Sequence, residues 1–192
     1  MATKPGERKL QILQTVAQML EQPKGEKITT AALAARLQLS EAALYRHFAS
    51  KAQMFEGLIE FIEQTVFGLI NKITQEEKSG LRQVEATMSM LLGFAQKNRG
   101  MSRVLIGDAL VNEDERLQQR INQLMDRIEA TLKQSLRMAT TQGEMGEAVD
   151  VGAHANLLVC YVIGRWQQFA KSGFTRDPMA LWAAQSAILL GK

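Results

Sequence analysis

The chain of 192 residues predicts an all-α protein: an N-terminal module of three helices followed by a larger helical body, about nine helices in all. Three observations lead there. The chain holds only three prolines. Apolar residues recur at three and four positions along most of its length, and no alternating strand pattern competes. Finally, Ile28 to Phe55 reads I-T-T-A-A-L-A-A-R-L-Q-L-S-E-A-A-L-Y-R-H-F-A-S-K-A-Q-M-F, two short helices around a tight turn that lead into a longer helix.

In that segment the helix starts are legible. Thr29 or Thr30 can cap the first helix and Ser40 the second, because a hydroxyl accepts a hydrogen bond from an otherwise unpaired first-turn N–H. Leu33 and Leu37 lie one turn apart, as do Leu44 and Phe48, which gives each helix a buried side. Ala32, Ala35 and Ala42 are small enough for the helices to cross closely, and Leu39 plugs the angle between them. Gln38 stands where such turns often use glycine to reach a positive φ. Glu41, Tyr45, Arg46 and His47 remain outward on the second helix, a polar face suited to the DNA major groove.

The charge distribution agrees with that reading. Up to Lys51 there are eight Lys and Arg against four Asp and Glu, and after it 15 against 16. The excess positive charge therefore sits with the helix-turn-helix, where Lys4, Arg8, Lys9 and Lys51 could reach phosphates. A hydrophobic content of 46% is enough to bury a real core. There is no twenty-residue apolar run and no signal-peptide pattern, so a cytoplasmic protein with no membrane role is expected. A single cysteine, Cys160, excludes an intramolecular disulfide framework.

Beyond Ser50 every segment reads as helix. Ser50 with Gln53 forms a capping box, and Phe55, Leu58, Ile59, Ile62, Val66, Leu69, Ile70 and Ile73 draw one apolar stripe. Leu81, Val84, Met88, Leu91, Leu92 and Ala95 draw the next, ending near Asn98-Arg99-Gly100. A short helix follows through Val104, Leu105 and Leu110. Leu117 to Leu136 form a long amphipathic helix, stopped by T-T-Q-G-E-M-G-E. Two last helices follow, one through Leu157, Leu158, Tyr161, Val162, Trp166 and Phe169, the other capped by Asp177 with Pro178 at its first position. Both are apolar on several faces, which predicts a two-fold homodimer built from these helices. The expected domains are residues 1–52, DNA-binding, and 53–192, dimerisation and partner binding.

Some apolar residues fall outside the stripes: Phe61 and Phe67 on the fourth helix, Met90 and Phe94 with Gly93 and Lys97 on the fifth. They are inner faces of a bundle, or a groove able to take a short peptide with charge contacts at Lys97 and Arg99. Catalytic chemistry is not nominated. His47 and His154 lack metal-ligand spacing, Cys160 has no candidate base, and no phosphate-cradling glycine loop follows a strand, so no enzyme activity, metal or cofactor is expected.

The helix-turn-helix running into L-Y-R-H-F-A-S-K resembles the TetR family. The segments M-F-E-G-L-I-E-F-I-E, L-L-G-F-A-Q-K-N-R-G and R-I-N-Q-L-M-D-R-I-E-A resemble more closely its bacterial nucleoid occlusion branch. That resemblance implies a nucleoid-associated homodimer that binds palindromic double-stranded DNA sites and, when bound, antagonises assembly of the tubulin-like division GTPase FtsZ through its C-terminal tail. It implies DNA contacts from Thr29, Thr30, Ser40, Ala43, Tyr45, Arg46, His47 and Lys51, with base reading by Ala43 and Arg46. The implied partner surface is Phe61, Met90, Gly93, Lys97 and Asn98. Leu69 departs from the pattern, which leads one to expect a basic residue there. The same fold supports an alternative, a repressor released from DNA by a small effector, whereas the occlusion reading requires no small-molecule ligand.

Overall fold

The computed structural model describes residues 5–22 and 28–191. Among them the structure is all-helical: α1 (Pro5–Leu20), α2 (Thr30–Arg36), α3 (Glu41–Tyr45), α4 (Lys51–Glu76), α5 (Gly80–Lys97), α6 (Arg99–Leu105), a 3-10 turn at Asp108–Leu110, α7 (Glu115–Thr141), α8 (Val151–Lys171) and α9 (Trp182–Leu190). Two compact units result. The first is Met1–Ile62 with Asn98–Ile121, the second Glu63–Lys97 with Asn122–Lys192. These units cut across the division at residue 52, because residues 98–121 pack with the N-terminal helices.

In the first unit Ile12, Val16, Met19, Leu33, Leu44, Met54, Phe55, Leu58, Ile59 and Ile62 are buried. Backbone proximity makes part of this packing possible. A Cβ at Gly100 of α6 would stand 1.8 Å from the Ala17 carbonyl oxygen of α1, so the two helices meet main chain to main chain. The small residue buried in α2 is Ala34, at 3% exposure, whereas Ala32, Ala35 and Ala42 are exposed. Ala34, next to Leu33 and three residues before Leu37, falls on the buried side of the helix.

The turn after α2 is a Schellman closure. Gln38 takes φ 54°, its N–H donates to Ala35 O at 3.1 Å, and Leu39 N–H donates to Ala34 O at 2.9 Å. The expected left-handed position is therefore at Gln38.

In the second unit the α7 stripe continues as drawn through Leu124, Ile128, Leu132 and Leu136, all buried. Trp166 of α8 is fully buried and donates its indole N–H to Leu91 O of α5 at 3.0 Å. The α4–α5 connection is clasped by polar side chains. Buried Gln83 donates to Thr74 O at 3.2 Å and Glu77 O at 2.8 Å, and accepts from Ser135 Oγ at 2.9 Å. Gln142 donates to Lys78 O and accepts from Gly80 N–H, while Glu144 accepts from Leu81 N–H.

Two expectations need correction here, and one alternative is decided. Leu69 is 41% exposed, so the α4 stripe narrows to Val66 and Ile70 beyond Ile62. Phe94, open between an inner bundle face and an outer groove, is 7% exposed and belongs to the core. The last helix begins at Trp182, not Pro178: Asp177 caps only a turn, accepting from Met179 N–H at 2.8 Å. The Asp177 carbonyl accepts only a turn bond from Ala180 N–H at 3.2 Å, and the carbonyls of Asp177 and Pro178 also accept from the Arg165 guanidinium, at 2.8 and 3.2 Å. Leu157 and Leu181, each 54% exposed, and Ile188, 81% exposed, remain outside the core.

Candidate DNA interface

The first unit assembles an outward face from the starts of α2 and α3. Thr29 has extended backbone, φ −110° and ψ 153°, and its Oγ1 accepts from Ala32 N–H at 3.1 Å. Ser40, with φ −78° and ψ 152°, repeats the device: its Oγ accepts from Ala43 N–H at 3.2 Å. Thr29, not Thr30, is thus the first cap. Each capping hydroxyl accepts inward, which leaves its own O–H to donate outward to an anion such as a phosphate oxygen.

Thr30 has a different task. Its Oγ1 donates to Glu41 Oε2 at 2.8 Å, joining the first turn of α2 to the first residue of α3. Sequence reasoning placed Glu41 outward but gave it no role.

Helix α3 is shorter than the sequence pattern suggested, ending at Tyr45. Arg46 is its C-cap, and both His47 and Phe48 donate N–H groups to the Leu44 carbonyl, at 3.0 and 3.2 Å. The chain must leave the helix there to present Ser50, whose Oγ accepts from Gln53 N–H at 3.2 Å as α4 begins. Gln53 returns the bond one residue earlier than a capping box requires, accepting from Ala49 N–H at 2.9 Å. Tyr45 and Arg46 are exposed, and Ala43 and His47 are half-buried. Phe48, buried at 7%, anchors the segment and carries the Lys9 ammonium 5.7 Å from its ring centroid. Arg8 is half-buried and donates to Gln11 Oε1 at 2.8 Å. Lys4 lies outside the described residues.

Lys51, expected as a phosphate contact, has a partner within the chain. Its ammonium pairs with Glu113, with side-chain exposures of 26% and 17%, and stands 5.7 Å from the Phe55 ring centroid. A second ion pair, Arg103 Nη1 to Asp108 Oδ2 at 2.8 Å, lies in the same unit. Both pairs line a cleft of about 530 Å³ with Leu20, Ile28, Phe55 and Val111. Glu113 was beyond sequence reasoning, because nothing local in a partner 62 residues away announces the pairing.

The expected partner-binding residues divide between the units. Phe61 and Asn98 are half-buried in the first. In the second, Met90, Gly93 and Lys97 follow one another along a single side of α5, and a Cβ at Gly93 would meet nothing within 4 Å. Among the described residues no group of three His, Cys, Asp or Glu could hold a metal ion, and no helix is long and apolar enough to cross a membrane.

Comparison with known proteins extends this picture. Residues 17–58 match the family described as bacterial regulatory proteins, tetR family, and residues 78–192 match the tetracyclin repressor-like C-terminal domain of SlmA-like proteins. The nucleoid occlusion factor SlmA of Marinomonas sp. is 48% identical over 98% of this chain and 96% of its own. That of Alteromonas mediterranea is 51% identical over 92% and 91%. Among solved structures, the fatty acid degradation regulator FadR from Bacillus halodurans superposes with TM-score 0.80 at 15% identity, covering 100% of this chain and 97% of that one. The TetR-family regulator PfmR from Thermus thermophilus gives 0.78 at 23%, covering 94% and 97%. At these identities the structural likeness speaks for the fold alone.

Fold and N-terminal site together define a helix-turn-helix DNA-binding regulator, not an enzyme. The chain belongs to the TetR family and, within it, to the SlmA group of nucleoid occlusion factors.

Proposed function

We propose that this chain is a DNA-activated inhibitor of cell division, which binds palindromic chromosomal sites as a homodimer in the cytoplasm and antagonises FtsZ assembly over the nucleoid. The observation that carries the reading is identity near one half with curated nucleoid occlusion factors over almost the whole chain. The interface geometry supports its first half: two hydroxyl-capped helix starts, with Tyr45 and Arg46 exposed beside them, suit phosphate and base contacts. The exposed Leu157, Leu181 and Ile188 of the last helices support a second copy as their cover. Two recognition helices about one DNA turn apart would then read a palindrome.

The residues proposed to contact FtsZ are Phe61 and Asn98 of the first unit and Met90, Gly93 and Lys97 of the second. The test is sedimentation of FtsZ polymers with the full chain, with and without chromosome-derived DNA. Pelleted FtsZ should fall, and fall further with DNA present. Lys97→Glu should abolish that loss while leaving DNA affinity intact. Unchanged pelleting with DNA at saturating protein would overturn the function.

A further inference from the structure

We infer that Glu41 is a specificity-determining residue that selects cytosine in the major groove by accepting a hydrogen bond from its N4 amino group. The inference rests on the DNA-binding reading above and adds to it the identity of one base. Glu41 is the first residue of α3, is exposed, and lies between the two capping residues and the Tyr45–Arg46 pair in sequence. Among the described residues no ion pair neutralises it. A bare carboxylate on a face that meets phosphates is repelled, since duplex DNA carries about one negative charge per 1.7 Å of axis. Such a residue lowers affinity at every site unless some base offers it a donor.

The structure prepares the carboxylate for one. Thr30 Oγ1 holds Oε2 at 2.8 Å, which fixes the side chain and leaves Oε1 to accept. Major-groove donors are the amino groups of cytosine and adenine only. Adenine N6 is flanked by the N7 acceptor, whose lone pair repels a second carboxylate oxygen. Cytosine N4 is flanked on its own ring by C5–H, which does not. A carboxylate at this position therefore favours cytosine, and the repulsion from phosphates suppresses sites that lack it.

The experiment is selection by the full-length protein from a pool of randomised duplex DNA, repeated with Glu41→Gln, Glu41→Ala and Thr30→Val. Wild type should enrich a two-fold site with a cytosine at one fixed position in each half, and replacing that base pair should weaken binding about 5- to 150-fold. Glu41→Gln keeps an acceptor for Thr30 and gains an amide donor, so its preference should move to adenine at that position alone. Glu41→Ala should become indifferent there, and Thr30→Val should discriminate less than wild type. The same motif selected by all four proteins, or a uniform change in affinity for every sequence, would overturn the role of Glu41 while leaving DNA binding standing. A wild type that enriches no motif would overturn both.

Discussion

One substitution made at two glycines should have opposite effects. At Gly100 an added Cβ stands 1.8 Å from Ala17 O and 2.8 Å from Ala17 C, both main-chain atoms that no side-chain rotation can move. That is about 1.5 Å inside the 3.3–3.6 Å at which a carbon ordinarily approaches a carbonyl oxygen. Helix α6 must back away from α1, a displacement of the overpacking kind that costs about 1–3 kcal/mol or more. The better helix propensity of alanine returns at most about 1 kcal/mol. Gly100→Ala should therefore lose on the order of 2 kcal/mol, lowering Tm by about 4–8 °C for a chain of this size. At Gly93 the Cβ would meet nothing within 4 Å, so only the propensity gain remains. Gly93→Ala should raise Tm by about 2–4 °C. Thermal unfolding followed by circular dichroism reads both. A Gly100→Ala protein as stable as wild type would refute the main-chain contact between α1 and α6.

Four further outcomes are expected. Gln38→Gly should be neutral or stabilise by up to about 1 kcal/mol, since a non-glycine residue at φ 54° carries a strain of that order; a clear fall in Tm would show that its side chain matters more than its backbone. Thr29→Ala removes the α2 cap and an outward hydroxyl, and should weaken DNA binding by about 1 kcal/mol or more in a titration at moderate salt; unchanged affinity rejects that role. Lys51→Gln breaks a partly buried ion pair and should cost about 1–2 kcal/mol of stability, yet leave the salt dependence of DNA binding unchanged. A slope smaller by about 0.9 would instead return Lys51 to a phosphate. Finally, the Ser79 hydroxyl and Leu81 N–H hold the Glu144 carboxyl below its ordinary 4.5, and the Ala153 and Gly152 N–H groups hold Asp150 below 3.8. Depressed carboxylates stabilise the fold above those ordinary values, and the contribution is lost as pH falls through the lowered ones. Acidification below pH 4.5 should therefore lower Tm in wild type more than in a Glu144→Gln, Asp150→Asn double variant, and parallel curves would count against the bonds at both carboxylates.

The helix-turn-helix was readable because its signals are local. The caps at Thr29 and Ser40 act over three residues, and the Gln38 turn over five, so sequence and structure see the same atoms. The long stripe of α7 was readable because periodicity reports a buried face whatever covers it. Where the cover decides, the pattern failed. Leu69 continues a perfect stripe and is still exposed, and Phe94 leaves its stripe and is still buried. The start of α9 was missed because Asp177 opens a turn and not the helix, while its carbonyl and that of Pro178 also accept from Arg165 of α8, 12 and 13 residues away. At the interface, residue types identified the face but not their partners. Lys51 looked open until Glu113 was found against it, and Glu41 looked solvated until Thr30 was found holding it.

The clasp around the α4–α5 connection has a consequence of its own. Gln83 and Gln142 hold the carbonyls of Thr74, Glu77 and Lys78 and the N–H of Gly80, and Glu144 holds the N–H of Leu81. Every one of those bonds is to main chain. The connection's own residues share in the grip: Glu77 Oε1 accepts from the Lys78 and Ser79 N–H groups, and a Cβ at Gly80 would stand 2.3 Å from Ala139 N, so its path binds the identity of its tip as well. The same constraint reaches three polar residues outside the tip, two of them just where α7 ends.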